Sequence, residues 1–152
     1  MKDTNTSIAV NKKARFEYEI IDTIEAGIVL VGTEVKSIRQ RMVSIQEAYA
    51  TIKGREAFIV GMNISPYERG NQFNHEPARE RKLLLHKQEI KRLTGKLRER
   101  GFTLVPLKMY FKNGKIKVLL GLGKGKTRYD KRKTIQKRDA ERDMQRTLKN
   151  YK

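Results

Sequence analysis

The chain has 152 residues and carries 35 Lys and Arg against 17 Asp and Glu, a formal charge of +18 at neutral pH. With 38% hydrophobic and 34% charged residues, a length of this order builds one compact core and excludes two large domains. The absence of Cys excludes a disulfide framework, a thiol nucleophile, a zinc ribbon and an iron–sulfur cluster, and no unbroken apolar run is longer than Ile28 to Val31, far short of the ~20 residues a membrane helix needs.

Residues 1–10 are polar and patternless and lack a signal peptide's apolar region, so they are expected to form a flexible arm on a soluble, cytoplasmic protein. Phe16, Tyr18 and Ile20 alternate with Glu17, Glu19 and Ile21, the period-2 pattern of a half-buried strand. Gly27 punctuates, Ile28 to Val31 reads as a second strand, and Gly32 suggests a bulge or a close backbone approach before a short helical turn from Glu34 to Arg41. Ala48 to Ile52 and Ala57 to Met62 flank Lys53-Gly54-Arg55, which suits a hairpin. Pro66 and residues 70–77 read as loop. After Lys82-Leu-Leu-Leu85, the spacing of Ile90, Leu93 and Leu97 marks a helix that Gly101 stops.

From Phe102 to Phe111, Thr103, Val105, Leu107, Met109 and Phe111 share one face of a strand. Asn113-Gly114 tolerates positive φ at both turn positions, and Ile116, Val118, Leu120 and Leu122 continue the apolar face on the return strand. About six short strands with one long helix predict a mainly β fold: a small closed antiparallel barrel of the oligonucleotide-binding (OB-like) type with peripheral helices over residues 11–123.

Residues 124–152 hold 12 basic against 4 acidic side chains, nearly half of the positive excess in the last fifth of the chain. Ordering 29 residues costs roughly 30 to 60 kcal/mol, whereas burying Ile135, Met144 and Leu148 returns at most about 9. The tail is therefore expected to be disordered when free. Ala140, Met144 and Leu148 recur at i, i+4, i+8, so a helix with one narrow apolar stripe would form once phosphates neutralise the charge. Nucleic acid is the leading partner for such a surplus, because each Lys or Arg that meets a phosphate releases condensed counterions. A membrane surface fits poorly, since the tail has no broad apolar face.

Nucleotide and metal motifs fare badly. Gly121-Leu-Gly-Lys-Gly-Lys-Thr127 fails the phosphate-loop spacing, because Leu120 stands where a Gly belongs, and fails the dinucleotide fingerprint at Lys126. Asp22, Glu34 and Lys36 compare with metal-dependent nucleases, in which an Asp and a Glu two before a Lys hold Mg²⁺; the plainer reading is a strand-end Asp and one edge of a helix. His75 and His86 stand in no metal-ligand arrangement, no catalytic constellation is visible, and neither cofactor nor metal is expected. Arg79, Arg81 and Lys82, with Lys87, Lys91 and Arg92, form either a phosphate-tracking face or a solvated surface. A generic ribosome-associated RNA chaperone would use the same charge.

The blocks Asn11-Lys-Lys-Ala-Arg15, Glu25-Ala-Gly27, Gly32-Thr-Glu-Val-Lys-Ser-Ile-Arg39, Arg81-Lys-Leu-Leu-Leu85, Gly125-Lys126 and Tyr129-Asp-Lys-Arg132 resemble, in this order, the small protein B (SmpB) or SsrA-binding protein family. The resemblance runs from about residue 7 to the end. It implies a non-enzymatic, monomeric RNA-binding protein of trans-translation, which binds the tRNA-like domain of transfer-messenger RNA and takes it to stalled ribosomes. Implied partners are that RNA, the 70S ribosome with its 16S rRNA, and, through the RNA, elongation factor Tu and alanyl-tRNA synthetase. Implied RNA-binding positions are Asn11, Lys12, Lys13, Glu25, Lys36, Arg39, Lys82, Leu84 and Lys117. Of these, Lys117 is suited to neutralise phosphate, Asn11 to donate to a phosphate or 2′-hydroxyl, Glu25 to accept hydrogen bonds or buttress a neighbouring Arg or Lys, and Leu84 to stack or pack. Implied positions for the decoding centre and empty mRNA channel are Gly125, Lys126, Tyr129, Asp130, Lys131, Arg132, Thr147 and Leu148. Tyr129 stands where some members have His, which leaves base stacking intact.

Overall fold

The structure is a computed structural model that describes residues 6–69, 74–126 and 128–150, with residues 6, 128–130 and 147–150 described in backbone only. Its strands are β1 (Thr6–Val10), β2 (Tyr18–Ile28), β3 (Val43–Ser44), β4 (Tyr49–Lys53), β5 (Glu56–Val60), β6 (Asn63–Ile64), β7 (Arg81–Leu84), β8 (Phe102–Lys112) and β9 (Lys115–Gly125). The helices are α1 (Lys12–Glu17), α2 (Gly32–Arg39), α3 (Lys87–Leu97) and α4 (Arg128–Asn150). Six strands close into an antiparallel ring in the order β8-β4-β5-β7-β2-β9 and back to β8, with β1 added along β8 and β3–β6 as a separate pair. Every ring strand thus has a neighbour on both sides, though the β4–β8 contact is the single pair Ala50–Leu104 and the β2–β7 contact two pairs.

The hairpin β8–β9 forms as its sequence predicts: Asn113 (φ 52°) and Gly114 (φ 76°) take the two left-handed turn positions. Helix α3 buries Leu93 and stops before Gly101, whose φ is +89°. The ring encloses Ile38, Ile59, Met62, Leu83, Leu104, Met109, Val118 and Leu120, each essentially inaccessible to solvent.

Some local expectations give way. Residues 6–10 are not a loose arm, because Ile8 is buried and β1 pairs with residues 108–111 of β8. The strand read from Phe16 begins two residues later: Phe16 and Glu17 finish α1, capped by Asn11, while Tyr18 to Ile21 alternate as expected and β2 runs through Gly27 to Ile28 as one strand. Gly32 opens α2 rather than forming a bulge. In β8 the register shifts between Pro106 and Lys108. That bulge reverses the inside–outside parity, so Leu104 joins Met109 and Phe111 in the main core while Val105 and Leu107 pack with Ala14 in a second cluster under α1.

The head also extends past residue 123. Lys124 and Gly125 belong to β9, and the Lys126 amide donates to the Glu17 carbonyl at 2.8 Å. Residues 128–150, expected to be unfolded when free, form helix α4, yet every described apolar side chain between residues 131 and 146 is exposed, with Ile135 at 41% and Met144 at 65%. The helix accordingly has no apolar burial of its own there, and such a segment depends on its partner for stability. Among the described residues no helix is long and apolar enough to cross a membrane.

Candidate nucleic-acid interface

Strand alternation sends Ile24 and Ala26 into the core and turns Glu25 and Gly27 outward. Gly27 is register partner to Leu84 on one side and to Lys117 on the other, and Lys117 is partner to Tyr110. The outer face of four adjacent strands thus carries a row Tyr110, Lys117, Gly27, Leu84. Leu84 is 52% exposed and leans over the glycine, where a Cβ would stand 3.2 Å from Leu84 Cβ. Two shallow grooves meet on this row. One also includes Arg39 and Lys115, the other Glu25 and His86. An exposed leucine beside cations that pair with no described carboxylate (Arg39, Lys115, Lys117) is a surface for an anion with flat apolar parts, as a nucleic acid is.

Glu25 does not oppose that role. Its carboxylate accepts from Tyr110 Oη and from Lys112 Nζ at 3.2 Å. The tyrosine hydrogen bond holds its pKa below the ordinary glutamate value, with Lys112 and Lys117 adding to the effect against the cost of burial. Tyr110 is correspondingly pushed up, chiefly by burial and then by the same hydrogen bond. Glu25 thus orients Lys112 and the Tyr110 ring, the buttress the sequence suggests.

Asn11 departs from expectation. It is 3% exposed, and its side chain is spent inside the protein: Oδ1 accepts from the Ala14 amide at 3.1 Å, while Nδ2 donates to the carbonyls of Pro106 (2.9 Å) and Ile45 (3.3 Å). It is not free to donate to phosphate; instead it caps α1 and fixes it to the β8 bulge. Asn11→Ala is expected to cost about 2 to 3 kcal/mol, through a lost cap and unpaired buried carbonyls, and to lower the thermal midpoint by about 4 to 12 °C in a melting experiment.

The remaining head positions fall into groups. Lys12 is exposed on α1, whereas Lys13 is held by Glu47 at 2.8 Å, which with Glu17 raises its pKa. Lys36 lies 5.4 Å from the Tyr67 ring, and Lys82 pairs with Glu56 at 2.6 Å. The phosphate-tracking reading of Arg79 and Arg81 fails. Arg81 is fully buried, and both guanidiniums bind the buried Glu34 carboxylate, which also accepts from the Val31 amide at 2.9 Å. That arrangement likewise removes the nuclease reading, because Glu34 has no open position for a metal and Asp22 is paired elsewhere, with Arg92 at 3.2 Å. His75 is tied to Thr33 Oγ1 at 2.9 Å and the Ile64 carbonyl at 2.8 Å while His86 precedes α3, so the two share no site. Among the described residues no cluster suited to a metal ion occurs.

In the tail segment, Gly125 closes β9 against Tyr18, and Lys126 Nζ donates to the Arg15 carbonyl (3.0 Å) and Thr134 Oγ1 (2.7 Å). Lys131 sits 5.7 Å from the Phe16 ring, and Arg132 is exposed. The side chains of Tyr129, Asp130, Thr147 and Leu148 lie outside the described residues. Sequence reasoning missed Gly27 as the floor beneath Leu84, and Tyr110 and Lys112 as the partners of Glu25. The i, i+2 spacing of Tyr110 and Lys112 on the outward parity of β8 would have found the last two once the bulge was allowed for.

Residues 8–150 match the family described as SmpB protein. The SsrA-binding protein of Acetivibrio thermocellus is 58% identical over 97% of this chain and 96% of its own, and that of Enterococcus faecalis is 54% identical over 94% and 93%. A solved structure described as "tmRNA-SmpB: a journey to the center of the bacterial ribosome" matches with a TM-score of 0.67 and 47% identity, covering 84% of this chain and 93% of that one.

Proposed function

The chain belongs to the SmpB family, and on that premise we propose that it is the RNA-binding protein of trans-translation: its head binds the tRNA-like domain of transfer-messenger RNA, and its tail acts on the stalled ribosome. The observation that carries the reading is the outward row of Lys117, Gly27 and Leu84, with Glu25 and Tyr110 ordered beside it. A flat strand face with one apolar projection and scattered cations suits shape recognition of a folded RNA, whose A-form grooves expose mainly sugar and phosphate. Strong preference for the folded RNA and little preference for base sequence follow.

The work is steric and electrostatic. The barrel completes the tRNA mimic, and residues 127–152 occupy the space that a codon and downstream message would fill, with Lys131 and Arg132 meeting rRNA phosphate. A message that still fills the channel excludes the tail, so the complex discriminates stalled from translating ribosomes by competition. Asn11 serves this function indirectly, by holding α1. Elongation factor Tu and alanyl-tRNA synthetase join through the RNA, and the site of action is the cytoplasm.

A chain ending at Lys126, which keeps all of β9, is expected to bind the structured RNA within about threefold of the full protein yet to abolish peptide tagging in a stalled-ribosome assay. Equal loss of both activities would overturn the division of labour. Sequencing of RNA retained from a bacterial lysate, with bulk tRNA as competitor, separates this reading from a generic RNA chaperone.

A further inference from the structure

Several cations on the head are neutralised where they stand: Lys13 by Glu47, Lys53 by Glu80, Lys82 by Glu56, Arg92 by Asp22 and Lys112 by Glu25. Two concave places carry unpaired cations instead: the groove of Arg39, Lys115 and Lys117, and a larger one richer in charge. The latter, an open groove of about 470 Å³, runs between α1, the outer side of β8–β9 and α4, and Lys12, Arg15, Lys108, Arg138 and Arg142 line it without any carboxylate among its lining residues. None of the five pairs with a described acid, and its floor is partly apolar, with Val10 51% exposed. The Phe16 ring lies at its side and has Arg138 at 5.3 Å and Lys131 at 5.7 Å.

Five like charges facing one cavity repel each other, and the repulsion is relieved when an anion enters. The composition narrows the anion. Three of the five cations are arginines, whose planar fork binds phosphate oxygens in pairs and whose face stacks on rings, and the aromatic and aliphatic floor accepts a base. An open groove of this size suits one strand rather than a duplex. We infer that this groove is a second RNA site, which takes the phosphate backbone of a single strand and clamps α4 to the head. Two of the cations come from α4 and two from α1, so the site exists only while the tail lies against α1; a strand bound there and a tail extended away from the head exclude each other. The groove adjoins the Tyr110–Lys117 row along the outer side of β8–β9, two register positions away, and the inference does not rest on which structured RNA that row binds.

The test uses the full chain and a fluorescently labelled hexauridylate, with anisotropy measured from 50 to 200 mM salt. Arg138→Glu with Arg142→Glu is expected to weaken binding by about tenfold or more and to flatten the log–log salt slope by about 1.4, two phosphates at ~0.7 each. The charge-matched pair Arg55→Glu with Arg100→Glu, exposed and outside the groove, is expected to change affinity less than about twofold. Equal effects of the two pairs would mean that net charge alone attracts the strand, and would overturn the site. Arg15→Glu, on the head, is expected to weaken binding similarly but to add less than its full effect to the Arg138 and Arg142 changes. Full additivity would overturn the joint groove even if each part binds RNA.

Discussion

Glu34→Gln is expected to lower the thermal midpoint by about 6 to 20 °C while leaving the chain free of Mg²⁺-dependent RNA cleavage both before and after the change. Glu34 is fully buried and binds Arg79 and the equally buried Arg81. Arg81 also donates to the carbonyls of Met62 and Arg79, each at 3.0 Å, and to Pro77 at 3.1 Å, so this pair joins α2 to β7 and to the chain after β6. Removing one charge strands the other in the interior at about 3 to 5 kcal/mol, and each kcal/mol is worth about 2 to 4 °C at this chain length. Acidity should act in the same direction. Burial pushes the Glu34 pKa up, but hydrogen bonds from Arg79, the Val31 amide and Arg81 outweigh it and leave the carboxyl below its ordinary value of 4.5. A depressed carboxylate contributes stability that is complete above the unfolded value and is lost as pH falls through the folded one. Melting followed from pH 7 downward should therefore fall more steeply for the parent chain than for Glu34→Gln below about pH 4.5, and parallel curves would remove Glu34 from the account.

Lys117→Glu is expected to reduce affinity for the structured RNA by about tenfold or more and the salt slope by about 1, with the thermal midpoint within about 2 °C of the parent. Lys117 forms no ion pair with a described residue and acts on Glu25 only as the last of its stabilising influences, so its loss leaves that carboxylate held by Tyr110 and Lys112; it stands in register between Tyr110 and Gly27 at the centre of the outer row. A reversed charge there meets phosphate and also Glu25, whose carboxylate is only part-buried. Affinity unchanged across the salt series, with the fold intact, would move the RNA to another face of the barrel.

What could be read from the chain depended on whether a pattern was local. Asn113-Gly114 sets its turn by backbone preference alone, and the spacing of Ile90, Leu93 and Leu97 needs only one helix, so both were legible. The alternation from Tyr18 to Ile21 is that of the strand it forms, but its extension back to Phe16 fails, because Asn11 caps a helix that runs to Glu17 and is held by contacts to Ile45 and Pro106, far away in sequence. A single extra residue near Leu107 reverses the face on which Val105 and Met109 stand, and binary patterning carries no mark of it. Arg81 lies in Arg81-Lys-Leu-Leu-Leu85, a string that looks solvated from one side; only its pairing with Glu34, 47 residues earlier, explains its burial. The RNA face was legible through resemblance at Glu25, Leu84 and Lys117, whereas Gly27 gains its meaning only when the strands on both its sides are known.

The Lys126 ammonium touches the last turn of α1 through the Arg15 carbonyl and the second turn of α4 through Thr134, while the Lys126 amide stays on Glu17. Its side chain is thus a latch and its backbone a fixed pivot. Among the described contacts, the latch holds the helix by two hydrogen bonds and the ring contacts at Phe16, and the apolar side chains of Ile135, Ala140 and Met144 are exposed and add nothing to it. The appendage can therefore swing without loosening the barrel, and a destination that outbids so small a restraint captures it without unfolding anything first.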